Sequence, residues 1–437
     1  MRLLNTLTLE LVEFFESDIP EYAILSHTWE SEEIAFKEMK GRSPTCQQKK
    51  GYQKIQSACA YANKNGYQYI WIDTCCIDKR SSSELSEAIN SMYRWYEDAK
   101  ICYAYLTDVP SDDRIQDADS HFRNSRWFTR GWTLQELIAP QTVHFISQDW
   151  KFIDTRVCLR MLISEITSIP VICLRDPALC AYTSIATRMS WASGRNCSRG
   201  EDSAYCLLGL FNVNMPLLYG EGDVKAFVRL QEEVIKTSDD RSIFIWSGHS
   251  VSSNEIEKHP VSMVSFTGIF AATAKWFEPD HRSQFSNPDA IPQHEIIQPY
   301  HNTNQGLFIQ VELCHIVDDL FVAGIAGASP KQSAYPAGIL LLRADHSKNQ
   351  YVRIRPDQLI DFGDDLQGRA KIKSIYISAF HNQMHDVIST CNDGLNKNVE
   401  LFLSRRPPSS RPQRQPRGAT MQNYKAPIPQ LRNVLPF

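Results

Sequence analysis

Over the first 150 residues, short unbroken apolar runs alternate with stretches of helical period. Residues 22–26 (YAILS), 69–72 (YIWI), 101–106 (ICYAYL) and 143–146 (VHFI) are four such runs, each of strand length. Between the first two, Tyr52, Ile55, Cys59 and Ala62 recur at helical spacing, and Gly66 stands where that helix would stop. Between the second and third, Ser81 and Glu84 have the spacing of a capping box. Leu85, Ala88, Ile89, Met92 and Trp95 then form one helical face. After the third, a polar loop over 111–126 leads into RGWTLQELIAP (130–140), whose helix Pro140 stops.

Buried strands alternating with helices predict an α/β domain: a parallel sheet with helices on both faces. In such sheets ligands bind beyond the carboxyl ends of the strands. Those ends carry Ser26-His27-Thr28-Trp29, Asp73-Thr74-Cys75 and Thr107-Asp108, a polar rim with two carboxylates and a histidine. Residues 151–241 read as a mainly helical segment. There Ser198 and Glu201 suggest a capping box ahead of Ala204, Tyr205, Leu207 and Leu208, with a break at Met215-Pro216. Ala226, Phe227, Leu230 and Val234 mark a further helix. From 242 to 400 strand-like runs dominate, at 243–246, 266–272, 306–313, 337–342, 351–354 and 372–377, and predict a β-rich domain.

Composition narrows the class. Apolar residues make up 43% and charged residues 22%, values of a soluble globular chain, and the length suggests two or three domains. The net charge of −4 gives no overall attraction to nucleic acid. Residues 401–437 hold seven basic residues and no acidic one, so the remainder carries −11. This Pro-, Arg- and Gln-rich tail reads as disordered. The apolar run 320–328 is far short of a membrane span, and the N-terminal MRLLNTLTLELVEFF does not read as a signal peptide. Twelve cysteines without a CxxC pair or a Cys/His metal spacing indicate reduced, buried thiols and no metal site.

At particular motifs the chain resembles the fungal heterokaryon incompatibility (HET) domain proteins. The matching stretches are MRLLNT at the start, YAILSHTWE (22–30), GYQKIQSAC (51–59), YIWIDTCCIDKRSSSELSEAINSMYRWYEDA (69–99), CYAYLTDV (102–109) and SRWFTRGWTLQELIAP (125–140). RMSWAS, EDSAYCLLGLF, MPLLYGEG and AFVRLQEEVIK, within 188–236, resemble the segment that follows the HET core. Cys197-Ser198 departs from it where the family usually has two threonines. The resemblance implies a cytoplasmic self/non-self recognition protein that triggers programmed cell death, a form of innate immunity, acting by self-association or through an incompatibility partner protein. HET domains are in turn similar to TIR domains, flavodoxin-like units of which some hydrolyse NAD. Trp132-Thr133-Leu134-Gln135-Glu136-Leu137 resembles the plant TIR pattern Trp-Cys-Leu-x-Glu-Leu, with Thr133 in place of Cys. That likeness implies Glu136 as the catalytic residue and NAD as a substrate, with no bound cofactor.

Each candidate has a plainer alternative. Thr133 and Glu136 also fit a capping box, in which the carboxylate only bonds a backbone amide. Ser26, His27, Trp29, Asp73, Cys75, Arg130 and Trp132 are the candidate substrate-binding residues. His27 is equally a hydrogen-bonded structural histidine, Trp29 a packing residue, Asp73 a loop cap, and Cys75 a small buried hydrophobe. Arg126 and Arg130 suit a phosphate but also read as solvated flanking charges. Asp78-Lys79 reads as a solvated turn, as does Tyr219-Gly-Glu-Gly222, which lacks the dinucleotide-binding and P-loop spacings. The alternative to an enzyme is a non-enzymatic signalling module acting by self-association. A nucleic-acid or membrane partner has no motif behind it beyond the basic tail.

Overall fold

The computed structural model describes residues 1–15, 18–248, 266–277, 299–325, 337–345, 347–356, 358–362, 364–378 and 393–404. Seven strands form the first sheet. They are β1 (Arg2–Asn5), β2 (Leu11–Glu13), β3 (Ala23–His27), β4 (Tyr69–Trp71), β5 (Ile101–Tyr105), β6 (Val143–Ile146) and β7 (Phe152–Thr155). Their order is β2-β1-β4-β3-β5-β6-β7. The four strands expected from the apolar runs are the central four, and they pair in parallel. Counted from β3, they lie in the order 2-1-3-4 of a doubly wound sheet, whose switch point falls between β3 and β5.

The expectation of a wholly parallel sheet is corrected at both edges. There β1 pairs antiparallel with β4, β2 folds back on β1, and β7 folds back on β6. Such hairpins need only a short turn, whereas parallel neighbours need a crossover element. The β6–β7 turn closes with the Ser147 amide donating to the Lys151 carbonyl at 2.9 Å.

Helices α1 (Phe36–Gly41), α2 (Pro44–Gln47), α3 (Lys50–Lys64), α4 (Asp73–Cys76), α5 (Ser82–Asp98) and α6 (Thr133–Ile138) connect these strands. As the spacing predicts, α3 buries Tyr52, Ile55, Cys59 and Ala62, and the chain leaves it at Gly66 with φ +88°. In α5, Ser81 caps the Glu84 amide, but the Glu84 carboxylate turns to the Asp78 amide and to Arg2, so only half of the expected box forms. The pleat assigns the helices to opposite faces. Tyr103 meets Tyr61 of α3 edge-on at 5.0 Å, while Trp71 packs on Trp95 and Tyr96 of α5 at 5.6 and 5.9 Å. Cys102, one residue from Tyr103, donates instead to the Glu136 carbonyl of α6.

Residues 160–237 form α7 (Arg160–Thr167), α8 (Val171–Arg175), α9 (Ile185–Ser190), α10 (Asp202–Tyr205) and α11 (Asp223–Thr237). The predicted Ser198–Glu201 box does not form. The Glu201 carboxylate accepts from the Gly220 and Gly222 amides at 2.8 and 3.2 Å, and α10 ends at Tyr205, well before Met215-Pro216. In α11 the predicted face, Ala226, Phe227, Leu230 and Val234, is buried.

The second sheet holds β8 (Phe266–Thr267), β9 (His301–Thr303), β10 (Gly306–Val317), β11 (Leu320–Ile325), β12 (Ala337–Asp345), β13 (Gln350–Ile354), β14 (Ile360–Asp361) and β15 (Lys371–Ile377). Pairing of β12 with β13 closes β10, β11, β12, β13 and β15 into a ring. Alternate residues serve two cores: Phe321, Ala323, Ile339 and Leu341 join the core shared with the first sheet, whereas Leu320, Val322, Leu340 and Leu342 form a second. The strand expected at 243–246 is not formed. Asp240 caps the Ser242 amide at 2.9 Å and turns Arg241–Phe244 into a 3-10 helix. A last helix, Asp393–Ser404, takes in residues 401–404 of the expected tail, and 405–437 lie outside the described residues. Among the described residues no helix is long and apolar enough to cross a membrane.

Candidate functional site

Strand β3 brings Ser26 and His27 to the carboxyl edge of the sheet, and their adjacency sends their side chains to opposite faces. Ser26 is fully buried on the α5–α6 side. Its oxygen accepts from the Trp127 indole at 2.8 Å, and its hydroxyl donates to the Glu136 carboxylate. Glu136, in the first turn of α6, is 6% exposed. The alternative capping box is absent. The Thr133 hydroxyl donates to the Trp127 and Arg130 carbonyls instead, and no side chain caps α6. Burial pushes the Glu136 carboxyl up to about 7, against Arg130 and the Ser26 hydroxyl, which favour its charged form.

On the α3 side lies a second cluster. Neither ring nitrogen of buried His27 has a hydrogen-bond partner, and its Nε2 sits 3.8 Å from Asp73 and 3.9 Å from Glu33. Burial, then Lys54, lowers the imidazole well below its ordinary value, so it is neutral. Glu33 pairs with buried Lys54. Burial opposes the Asp73 charge, but Lys79, Arg130 and Lys54 outweigh it and hold the carboxyl at about 2.

Arg130 joins the two clusters. Its guanidinium donates to the His27 carbonyl at 2.7 Å and lies 5.0 Å from the centre of the Trp29 ring. Trp29 is 44% exposed, donates its indole N–H to Asp73 at 3.0 Å, and carries the Lys79 ammonium 3.6 Å from its ring centre. An exposed indole flanked by two cations and bonded to an acid at the carboxyl edge of the sheet suits an aromatic, anionic ligand such as a nucleotide. A cavity of about 480 Å³ in the loop after β5 does not. Its lining includes Asp112, Asp113, Asp117 and Asp119, which repel phosphate.

Several expectations change. Cys75 is fully buried with its thiol on the Ile72 carbonyl, and a hydrogen bond with Cys76 and burial raise it far from a thiolate, so it does not reach the site. Trp132 turns away, its indole donating to Asp202 at 3.1 Å. Lys79, read as a solvated turn, is part of the site. Arg126 is a rim charge paired with Glu30 at 2.7 Å. Sequence reasoning missed Lys54, Glu33 and Trp127; a lysine four residues before Ala58 on the apolar stripe of α3 was the available signal. It also missed Arg195. That buried guanidinium donates to the Arg130 carbonyl and the Thr133 hydroxyl, both at 2.9 Å, from the helical segment. Beside it, Asn196 accepts from Gly131 at 2.9 Å and donates to Thr129 at 2.7 Å.

These features define an α/β protein with a doubly wound core and carboxylates gathered at the carboxyl edge of its parallel strands. Residues 22–118 match the family described as "Heterokaryon incompatibility protein (HET)", so the chain carries a HET domain over that segment. Over 225 residues, 50% of its length, it is 49% identical to "Vegetative incompatibility protein HET-E-1" of Podospora anserina, and it spans 16% of that protein. No solved structure matches. The matched family segment ends before α6, so Glu136 lies outside it.

Proposed function

We propose that this chain acts in heterokaryon incompatibility in the cytoplasm, and that it triggers cell death as a TIR-like hydrolase of NAD or a related nucleotide. The relative's name and the HET match support the first part. The 2-1-3-4 order of the parallel strands and the acid at their carboxyl edge support the second. One observation carries the enzymatic reading: Glu136 is held by a side chain, Ser26, at the carboxyl edge and not spent on a helix cap. In the reaction the ribosyl C1′–N bond breaks, its electron pair leaves with nicotinamide, and water adds to C1′ with loss of a proton. The ionised Glu136 carboxylate stabilises the oxocarbenium-like transition state, which a protonated one does not. Arg130 and Lys79 balance the phosphates, and Trp29 stacks on a base. Only one carboxylate is required, because nicotinamide leaves as a neutral molecule from a cationic ring.

The test is nicotinamide release from NAD by the purified, self-associated full chain. Glu136→Gln keeps the shape and is expected to lose at least about a hundredfold in rate. Activity that survives in a folded Glu136→Gln variant refutes the assignment. The complete satisfaction of the Trp127–Ser26–Glu136 chain favours a second reading, a non-enzymatic module acting by self-association in which Glu136 only anchors α6. In that case toxicity in a fungal host is indifferent to Glu136→Gln and sensitive to surface charge reversal.

A further inference from the structure

Outside this site, the thiols of Cys197 and Cys206 lie on the backbone that feeds α6. Both sulfurs press on Gly131: a Cβ there would stand 2.2 Å from the Cys197 sulfur and 3.2 Å from that of Cys206. The Cys206 thiol donates to the Ser203 carbonyl at 3.9 Å, and both cysteines are free. They are not equivalent. Cys206 is 2% exposed, whereas Cys197 is partly open to solvent. The Cys206 thiol, acting with Arg130 and the Gly131 amide, lowers Cys197, while the Cys197 thiol and burial raise Cys206. A partly exposed cysteine beside a buried one, both against the same glycine, is the arrangement of an attacking and a resolving cysteine.

We propose that Cys197 and Cys206 form a peroxide-reactive dithiol, whose oxidation to a disulfide resets the segment bearing Arg130 and Glu136. The Cys197 thiolate attacks a hydroperoxide oxygen, breaking the O–O bond. Cys197 becomes a sulfenic acid and the other oxygen leaves with a proton, as water when the oxidant is hydrogen peroxide. The Cys206 sulfur then attacks that of Cys197. The S–S bond forms, hydroxide is expelled and takes the Cys206 proton, and a second water leaves. Two electrons pass from the dithiol to the peroxide. The bond would form across Gly131. Residues 129–131 are bonded there to Asn196, and Arg195 reaches the Arg130 carbonyl and Thr133, so the change is carried to the head of α6.

The full chain is treated with equimolar hydrogen peroxide, and its cysteine peptides are followed by mass spectrometry. Cys173 and Cys180 are likewise neighbouring thiols but are 1% and 4% exposed, and Cys158 is an exposed lone thiol; both serve as internal references. A Cys197–Cys206 disulfide is expected to form at least about tenfold faster than oxidation at either reference, because Cys197 is partly exposed and the resolving partner is in place. In Cys206→Ser the reaction stops at a sulfenic acid on Cys197 that a dimedone probe captures. Cys197→Ser abolishes it. Amide exchange over residues 129–138 changes on oxidation of the unsubstituted chain and not of Cys197→Ser. Oxidation confined to Cys158, or a disulfide without any change in exchange over 129–138, overturns the proposal. None of these readouts depends on nucleotide hydrolysis, so the two proposals fail separately.

Discussion

Replacing Glu136 with glutamine tests whether its carboxyl is buried at a cost to the fold. In the native protein the group titrates near 7, against an ordinary 4.5, because burial disfavours its charge. Between these values the native state binds a proton that the unfolded chain has released. Stability is therefore fully present below about pH 4.5, falls as the pH rises, and levels off above about 7. Two and a half decades of proton affinity, at about 1.4 kcal/mol each, amount to roughly 3.5 kcal/mol, of which about 3 kcal/mol falls above pH 4.5. The amide of the Glu136→Gln variant keeps an acceptor for Ser26 and cannot ionise, so that variant lacks this contribution. The stability of Glu136→Gln relative to the unsubstituted chain should thus rise by about 3 kcal/mol between pH 4.5 and 8. Calorimetric unfolding of both proteins across that range measures the difference. Parallel pH profiles would show that Glu136 stays charged and solvated in the native state, and would remove the basis for a carboxyl poised near neutrality.

Other substitutions probe the supports of the site. Ser26→Ala leaves the Trp127 indole N–H unpaired in the core and should cost about 1–3 kcal/mol in thermal unfolding, while shifting the Glu136 titration further up. Lys54→Met strands Glu33 and should cost about 3 kcal/mol, most of it recovered when Glu33→Gln is added; the double variant, compared by urea unfolding, decides. Gly131→Ala drives a methyl into the Cys197 sulfur and should destabilise by about 1–3 kcal/mol, and Cys197→Ala in the same chain should restore most of that loss.

The central sheet was legible because its strands are buried. All five residues of β3 and of β5 are covered, so β5 reads as an unbroken apolar run and β3 as a short one that closes on Ser26 and His27. The edges were not: β7, with exposed Phe152 and half-buried neighbours, has no such run, and β1 and β2 are four and three residues long. Ile243–Trp246 shows the reverse error, an apolar run whose backbone is decided by an aspartate just before it. Within the site, Asp73 and His27 followed from the rule that strand ends face ligands, and Arg130 from the match of a guanidinium to phosphate oxygens. Glu33 and Lys54 come from a loop and a helix whose approach depends on tertiary packing. The separation of Ser26 from His27 was available in principle, since a pleated strand cannot aim consecutive side chains the same way.

The short bridge between 129–131 and Asn196 bears on how such genes can be shuffled. A recombination breakpoint anywhere between α6 and Arg195 would join an α6 from one parent to a brace from the other. Arg195, Asn196 and Gly131 would have to agree across that junction for Glu136 to keep its seat. Chimeras that break after α11, which carry strand, acid and brace together, should inherit the site intact. Those that break at residue 150 should inherit it only when both parents hold the same brace.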